Sequence, residues 1–128
     1  MMKYIKLIVG MGCGALHFLF GELDALLIAL IALVIVDYIT GVFAAICEKR
    51  LNSGVGFRGI LKKVAILLVV MVAQIIGQVV GVEWLRSAVI GFYLANESIS
   101  ILENSGKLGI GIPQKLLDVL EQLKKDNE

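Results

Sequence analysis

ALLIALIALVIVDYITGVFAAIC, residues 25–47, decides the class of this chain. As a helix rising ~1.5 Å per residue it spans roughly 30 Å, the thickness of a bilayer's hydrocarbon core. The stretch carries one acid, Asp37, near its middle. An ionisable group at that depth costs on the order of 2.5–3.5 kcal/mol on insertion scales, so it must face a protein neighbour or water. The stretch therefore predicts an integral membrane protein with a polar contact at Asp37.

Composition agrees. Fifty-nine per cent of the 128 residues are hydrophobic and only one is proline, and the mean hydropathy of +0.91 is far above that of a small soluble domain. The length accommodates one helical bundle, read as a single domain over 1–128, and leaves no room for a separate catalytic domain. The net charge of +1 says little, because the charges sit in blocks. Cys13, Cys47 and the single His17 lack metal-ligand spacing, so neither a disulfide framework nor a zinc site is expected, and both cysteines read as buried packing residues. No cofactor is expected, and His17 is assigned no role.

Downstream of the first span, EKRLNSGVGFRGILKK sets Lys49, Arg50, Arg58, Lys62 and Lys63 against Glu48. The positive-inside rule places these basic residues in the cytoplasm, where they set topology and touch anionic headgroups. A nucleic-acid role is not expected of a loop tethered between two spans. Asn52, Ser53, Gly54 and Gly56 mark it as a turn-rich connector. A second span follows at 64–82, in which Gln74, Gly77, Gln78 and Gly81 share one face. Asp37, Thr40, Gly41 and Ala44 form a matching row in the first span. Rows of small and polar residues are what helix contact in lipid requires, because small residues let backbones approach and amides need partners.

A short outer turn carrying Trp84 leads to a third span at 85–102, LRSAVIGFYLANESISIL, with Arg86 as an interfacial anchor. This span has no continuous apolar face. Asn96, Ser100 and Glu103 lie on one side, Ser87, Gly91, Ala95 and Ser98 on the other, and Glu97 between them. A chain with about three spans can hardly surround such a helix, which predicts homo-oligomerisation. Neither Asp37 nor Glu97 has an evident cationic partner at its depth, so the two acids either line an aqueous path or act as hydrogen-bonded links between helices.

The ends are read from length and periodicity. Residues 1–24 hold an apolar run of about 14 residues, short for a span, and read as an interfacial or partly inserted segment; a fourth span would need local thinning of the bilayer. Residues 107–128 read as a cytoplasmic tail with a short amphipathic helix, started by Pro113 and carrying Leu116, Leu117, Leu120 and Leu123 at helical spacing. The fold class is thus an all-α integral membrane protein with about three transmembrane helices, or four with the N-terminal segment.

Two stretches then carry a family resemblance: DYITGVFAAICEKRLNSGVGFRGILKKVAILLVVMVA at 37–73 and RSAVIGFYLANESISILENSGKLGIGIPQKLLDVLEQL at 86–123. In combination they resemble the bacteriophage holin family, which includes holin-like toxin-secretion proteins of clostridia. The resemblance is weakest over residues 1–24. It implies a non-enzymatic protein of the bacterial inner membrane that oligomerises and opens large lesions, through which an endolysin or a toxin leaves the cytoplasm. Its implied partners are membrane lipids, copies of itself, the released cargo and an antiholin. A start at Met11 would remove Lys3 and Lys6 and change the N-terminal charge, and holins can pair with inhibitory forms made by alternative starts, although Met11 also reads as a plain apolar residue. The physical reading adds that polar rows hidden while subunits are dispersed could turn toward water in dense rafts. The rival reading from another class is a small dimeric proton-coupled transporter or ion channel using Asp37.

Overall fold

In the computed structural model, which describes residues 1–126, the chain forms five helices: α1 (Met2–Phe20), α2 (Ala25–Cys47), α3 (Ser53–Val80), α4 (Leu85–Lys107) and α5 (Gln114–Asp126). The described residues form no strand. Each break has a local cause. Gly21 takes a positive φ of 78° after α1, and Asp24 then caps α2 by accepting from the Leu27 amide at 3.0 Å. At the other end of α2, Lys49 adopts φ 56°, and the amides of Lys49 and Arg50 return to the carbonyls of Ile46 and Ala45. That is the Schellman pattern of bonds closing a helix. Asn52 caps α3 through the Val55 amide at 2.9 Å, and Gly81, in the left-handed conformation, ends it.

The connector expected over 48–63 is therefore shorter than the sequence implied. Ser53, Gly54 and Gly56 belong to α3, and so do Arg58, Lys62 and Lys63. The Asn52 cap overrides the weak helix propensity of the glycines, and packing against α2 gives them a use. Gly59, for example, sits where a Cβ would lie 3.1 Å from the Tyr38 ring.

Among the described residues, the three helices long and apolar enough to cross a membrane are α1, α2 and α3. Helix α1 is a continuous helix of 19 residues, longer than its apolar run because it incorporates Lys3 and Lys6. Helix α4 is long enough, with 23 residues, but too polar to qualify. Its polarity is accommodated within one chain: α4 packs along α2, its most extensive partner, and also contacts α3 and α5. The single chain buries Ile90, Ala95, Glu97 and Ile99 of this helix and leaves the rest half-buried or exposed.

Side-chain contacts fix the directions. Asp24 meets Arg86 at one end of the α2–α4 pair and Asn104 meets Thr40 toward the other, so α2 and α4 run parallel, and α3, which joins them in sequence, runs the opposite way. Each contributes an inward row at alternating spacings of three and four residues: Leu27, Leu30, Val34, Asp37, Gly41 and Ala44 on α2; Gly56, Gly59, Lys63, Ile66, Val70, Ala73 and Gly77 on α3; Arg86, Ile90, Tyr93, Glu97, Ser100 and Asn104 on α4. That spacing keeps a row on one side of helices that cross at a small angle. The apolar core comprises Leu27, Leu30, Val34, Val70 and Ile90, with Phe20, Ile66, Val89, Tyr93 and Leu94 packed against it. Because lipid tails are as apolar as leucine, this core holds by close packing, and the polar links described below set its register.

Helix α1 differs from the others. It buries no residue and packs on α3, leaving Ile5, Leu7, Ile8 and Val9 exposed. Cys13 and Cys47, expected to be buried, are both exposed. Both sit on outward-facing helix positions, where an apolar thiol needs only lipid for a neighbour.

Candidate functional site

At the level of Asp37 the three inward rows converge on charge. Lys63 of α3 extends its ammonium between two carboxylates, donating to Asp37 Oδ2 and, at 2.8 Å, to Glu97 Oε2. Asp37 and Glu97 are 4% and 2% exposed. The second oxygen of Asp37 accepts from Asn104 Nδ2 at 3.0 Å, and the same amide nitrogen reaches Thr40 Oγ1 at 3.1 Å. Thr40 in turn donates to the Val36 carbonyl at 2.9 Å. No buried side-chain polar atom among the described residues lacks a partner. One cation thus joins α2, α3 and α4, and Asn104, about two turns beyond Glu97 on α4, ties α4 to α2 again through Asp37 and Thr40.

The cluster overturns the expectation that the two acids have no cation at their depth. Lys63, expected in the loop, is its centre. Its signal in the sequence is its place in the α3 row of Gly56, Gly59, Ile66, Val70, Ala73 and Gly77, a row visible once the helix is started at Asn52. Asn104 was missed because the third span was ended at residue 102, whereas α4 runs five residues further. A recess of about 240 Å³ leads to the cluster, lined by Tyr38, Gly41, Arg50, Gly56, Lys62, Ser100 and Asn104 among others.

A second polar cluster forms at the opposite end. Arg86 Nε donates to the Phe20 carbonyl at 2.7 Å, Nη2 to the Glu22 carbonyl at 2.8 Å, and Nη1 to Asp24 Oδ2 at 2.9 Å. The guanidinium beside Asp24, helped by the Leu27 amide, lowers this carboxyl from 3.8 to about 2. Gly21 is required here, because a Cβ on it would lie 2.8 Å from Arg86 Nε, at a φ that side chains rarely adopt. The expected row of Gln74, Gly77, Gln78 and Gly81 lines a recess of about 350 Å³ next to Arg86. It faces the α3–α4 turn and does not meet the Asp37 row, which lies further along the bundle.

Of the remaining sequence-derived positions, Thr40, Gly41, Glu97 and Ser100 gather around Asp37, whereas Ser87 and Glu103 are exposed and Gly91 and Asn96 are half-buried on α4 outside either cluster. Lys49, Arg50, Arg58 and Lys62 stay exposed at the end of the bundle nearer the Lys63 cluster. There Arg50 pairs with Glu48 and holds its carboxyl below the usual range.

Fold and site together define a small, all-helical membrane protein whose buried polar residues link its helices. The sequence profile of the bacteriophage holin family matches residues 14–125, and the chain belongs to that family. It is 38% identical over 112 residues to a protein of Bacillus phage phi105 described as a probable holin, covering 87% of this chain and 82% of the phage protein. An uncharacterised protein of Listeria monocytogenes is 44% identical over 112 residues, covering 86% of this chain and 80% of its own length. One of Clostridium perfringens is 42% identical over 124 residues, covering 94% and 93%. No solved structure gives a significant match.

Proposed function

We propose that this chain is the lesion-forming component of a phage-type lysis system: a non-enzymatic, multi-pass protein of the bacterial inner membrane that accumulates, self-associates and opens. Its cargo is an endolysin or, in toxin-exporting systems, a large toxin. The observation that carries this reading is the holin-family match over residues 14–125, which takes in every residue of the Lys63 cluster.

Charge placement supports a topology in which α1 to α4 all cross. Lys49, Arg50, Arg58, Lys62 and Lys107 gather at one end, and an α1 that crosses places Lys3 and Lys6 at that end too. The opposite end holds Arg86 among Glu22, Asp24 and Glu83. The positive-inside rule then puts both termini in the cytoplasm. The carrier alternative fares worse. Both oxygens of Asp37 are engaged by Lys63 and Asn104, so proton exchange at Asp37 would first have to break those links.

The test is inducible expression in a bacterium with a co-expressed cytoplasmic endolysin, following membrane potential and endolysin release in one culture. An abrupt depolarisation after a delay, with endolysin escape, is the expected result. A lasting potential with no protein release at high membrane abundance would overturn the reading.

A further inference from the structure

Resting on that reading, we infer that Lys63 is the latch of a two-layer device, and that opening swings the layer of α1 and α3 off the layer of α2 and α4 about the Arg86 end. The grouping rests on the α2–α4 pair. Helix α4 lies along α2 as its most extensive partner, whereas α3 touches α2 sparingly despite being consecutive and divides its packing about equally between α1 and α4. Within the α2–α4 layer the polar links are repeated along the length: Asp24 with Arg86, Asp37 and Thr40 with Asn104, and Glu48 with Lys107 at 3.9 Å.

Between the layers the links are few and unevenly placed. At the Arg86 end the chain itself crosses twice, through the turns at 21–24 and 81–84, and Arg86 binds the first of these turns by two carbonyls and a carboxylate; at the other end the chain crosses once, through the 48–52 connector, whose reach limits how far the layers part there. The second turn is close-packed, since the Val82 carbonyl stands where a Cβ on Gly77 would be, 2.8 Å away. That end is built as a hinge. Toward the other end, the polar side-chain contacts from α3 to α2 and α4 are the Lys63 ammonium on two acids and the Tyr38 hydroxyl on the Gly56 carbonyl at 3.3 Å.

Chemistry favours Lys63 as the releasing element. A lysine is a compact, strongly hydrated point charge on a flexible stem, without the planar fork that fixes an arginine to its partners. Once water enters, Lys63 can leave its acids by rotating its stem, and the recess lined by Lys62, Ser100 and Asn104 already extends to it. Separation of the layers then leaves Asp37, Thr40, Glu97, Ser100 and Asn104 facing an aqueous gap. All five are hydrogen-bonding groups, as the lining of a water-filled lesion requires. Side-by-side opening of many copies would give the gap its width.

A reversible tether tests the device. In a background with Cys13→Ser and Cys47→Ser, the pair Asp37→Cys and Lys63→Cys is bridged by a short bifunctional thiol reagent containing a reducible disulfide, in cells that also make endolysin. Bridged protein, identified by its gel mobility, should block endolysin release, and a membrane-permeant reductant should restore release within minutes. Lysis on the unbridged schedule despite nearly complete bridging would overturn the latch. A second variant needs no bridge: Lys63→Met at equal membrane abundance should bring release forward several-fold in time, and unchanged onset would likewise overturn it. The two readings fail separately. Absence of release from the untreated cysteine-free protein would count against the lytic function itself, whereas normal release that ignores the bridge removes the latch alone.

Discussion

Lys63 and Arg86 are each one cation set among carboxylates and helix ends, yet they are built for opposite duties. Lys63 holds side chains only, one on each of two other helices, with its partners almost fully buried. Arg86 holds mainly backbone, the carbonyls of Phe20 and Glu22, with the partly exposed Asp24 completing the grip. A guanidinium bound to carbonyls fixes the course of the chain whatever the neighbouring side chains do. An ammonium between two carboxylates fixes only how three helices sit against one another, and it does so while all three groups remain desolvated. The difference shows how one bundle can combine a permanent end with a releasable one.

The comparison breaks most sharply at Lys63. Replacing it by methionine keeps the stem but leaves two buried carboxylates without a cation, an arrangement that costs about 3–5 kcal/mol when one partner of a buried ion pair is removed. Purified in detergent, Lys63→Met should lose most of its resistance to thermal unfolding. Adding Asp37→Asn and Glu97→Gln should return most of that loss, because a neutral, hydrogen-bonded cluster needs no counterion. If the single and the triple variant unfold alike, the ion cluster is not what joins the layers.

Gly77 tests the other end. A Cβ there would meet the Val82 carbonyl at 2.8 Å, and a backbone atom in a tight turn cannot step aside. Gly77→Leu should therefore destabilise the protein by about 1–3 kcal/mol, the usual range for overpacking. Gly10 is the control, since it has open space around it. Gly10→Ala should leave the fold intact or strengthen α1 by up to about 1 kcal/mol through helix propensity. Thermal unfolding of both variants in one detergent checks the contrast.

How far the sequence revealed this contrast depended on where each helix was taken to end. The membrane class, the Asp37 row and the short turn between α3 and α4 followed from apolar length and spacing, which survive errors of a few residues. Lys63 and Asn104 did not, because the first three turns of α3 and the last turn of α4 set glycine or serine beside charge, which reads as loop. The N-cap at Asn52 and the extension of α4 through Glu103 to Lys107 are local facts that only packing against α2 makes worthwhile. Arg86 was recognised as an interfacial residue, but its carbonyl partners are contributed by a turn sixty-odd positions away, and no periodicity announces a backbone acceptor. The pairing of Asp37 with Glu97 through one lysine was illegible for a related reason: spacing assigns a residue to a face but not to its opposite number.

Arg86→Lys sharpens the hinge side with a smaller expected effect. Lysine keeps the charge but cannot reach two carbonyls and a carboxylate at once, so about 1.5–2 kcal/mol should be lost, the lower part of the range for hydrogen bonds involving a charged group. The loss should be local. Amide exchange should quicken at residues 21–24 while the amides around Lys63 keep their protection. Uniform quickening would mean that the two ends are not separable.

Acid titrates the same grip through Asp24, with the smallest expected effect. Its carboxyl lies at about 2 in the folded chain against an ordinary 3.8, because Arg86 and the Leu27 amide favour the ionised form. A depressed value contributes stability that is fully present above the ordinary one and is lost as the pH falls from there through about 2. Since Asp24 is about one-third exposed, solvent screening keeps the contribution to roughly 0.2–1 kcal/mol. Asp24→Asn retains a side chain able to cap α2 but has no charge to lose. Exchange at 21–24 should therefore rise in the wild type relative to the Asn variant as the pH drops through that window, and the two should differ by a constant amount above it. A parallel rise in both proteins would place the acid sensitivity elsewhere than the Arg86 end.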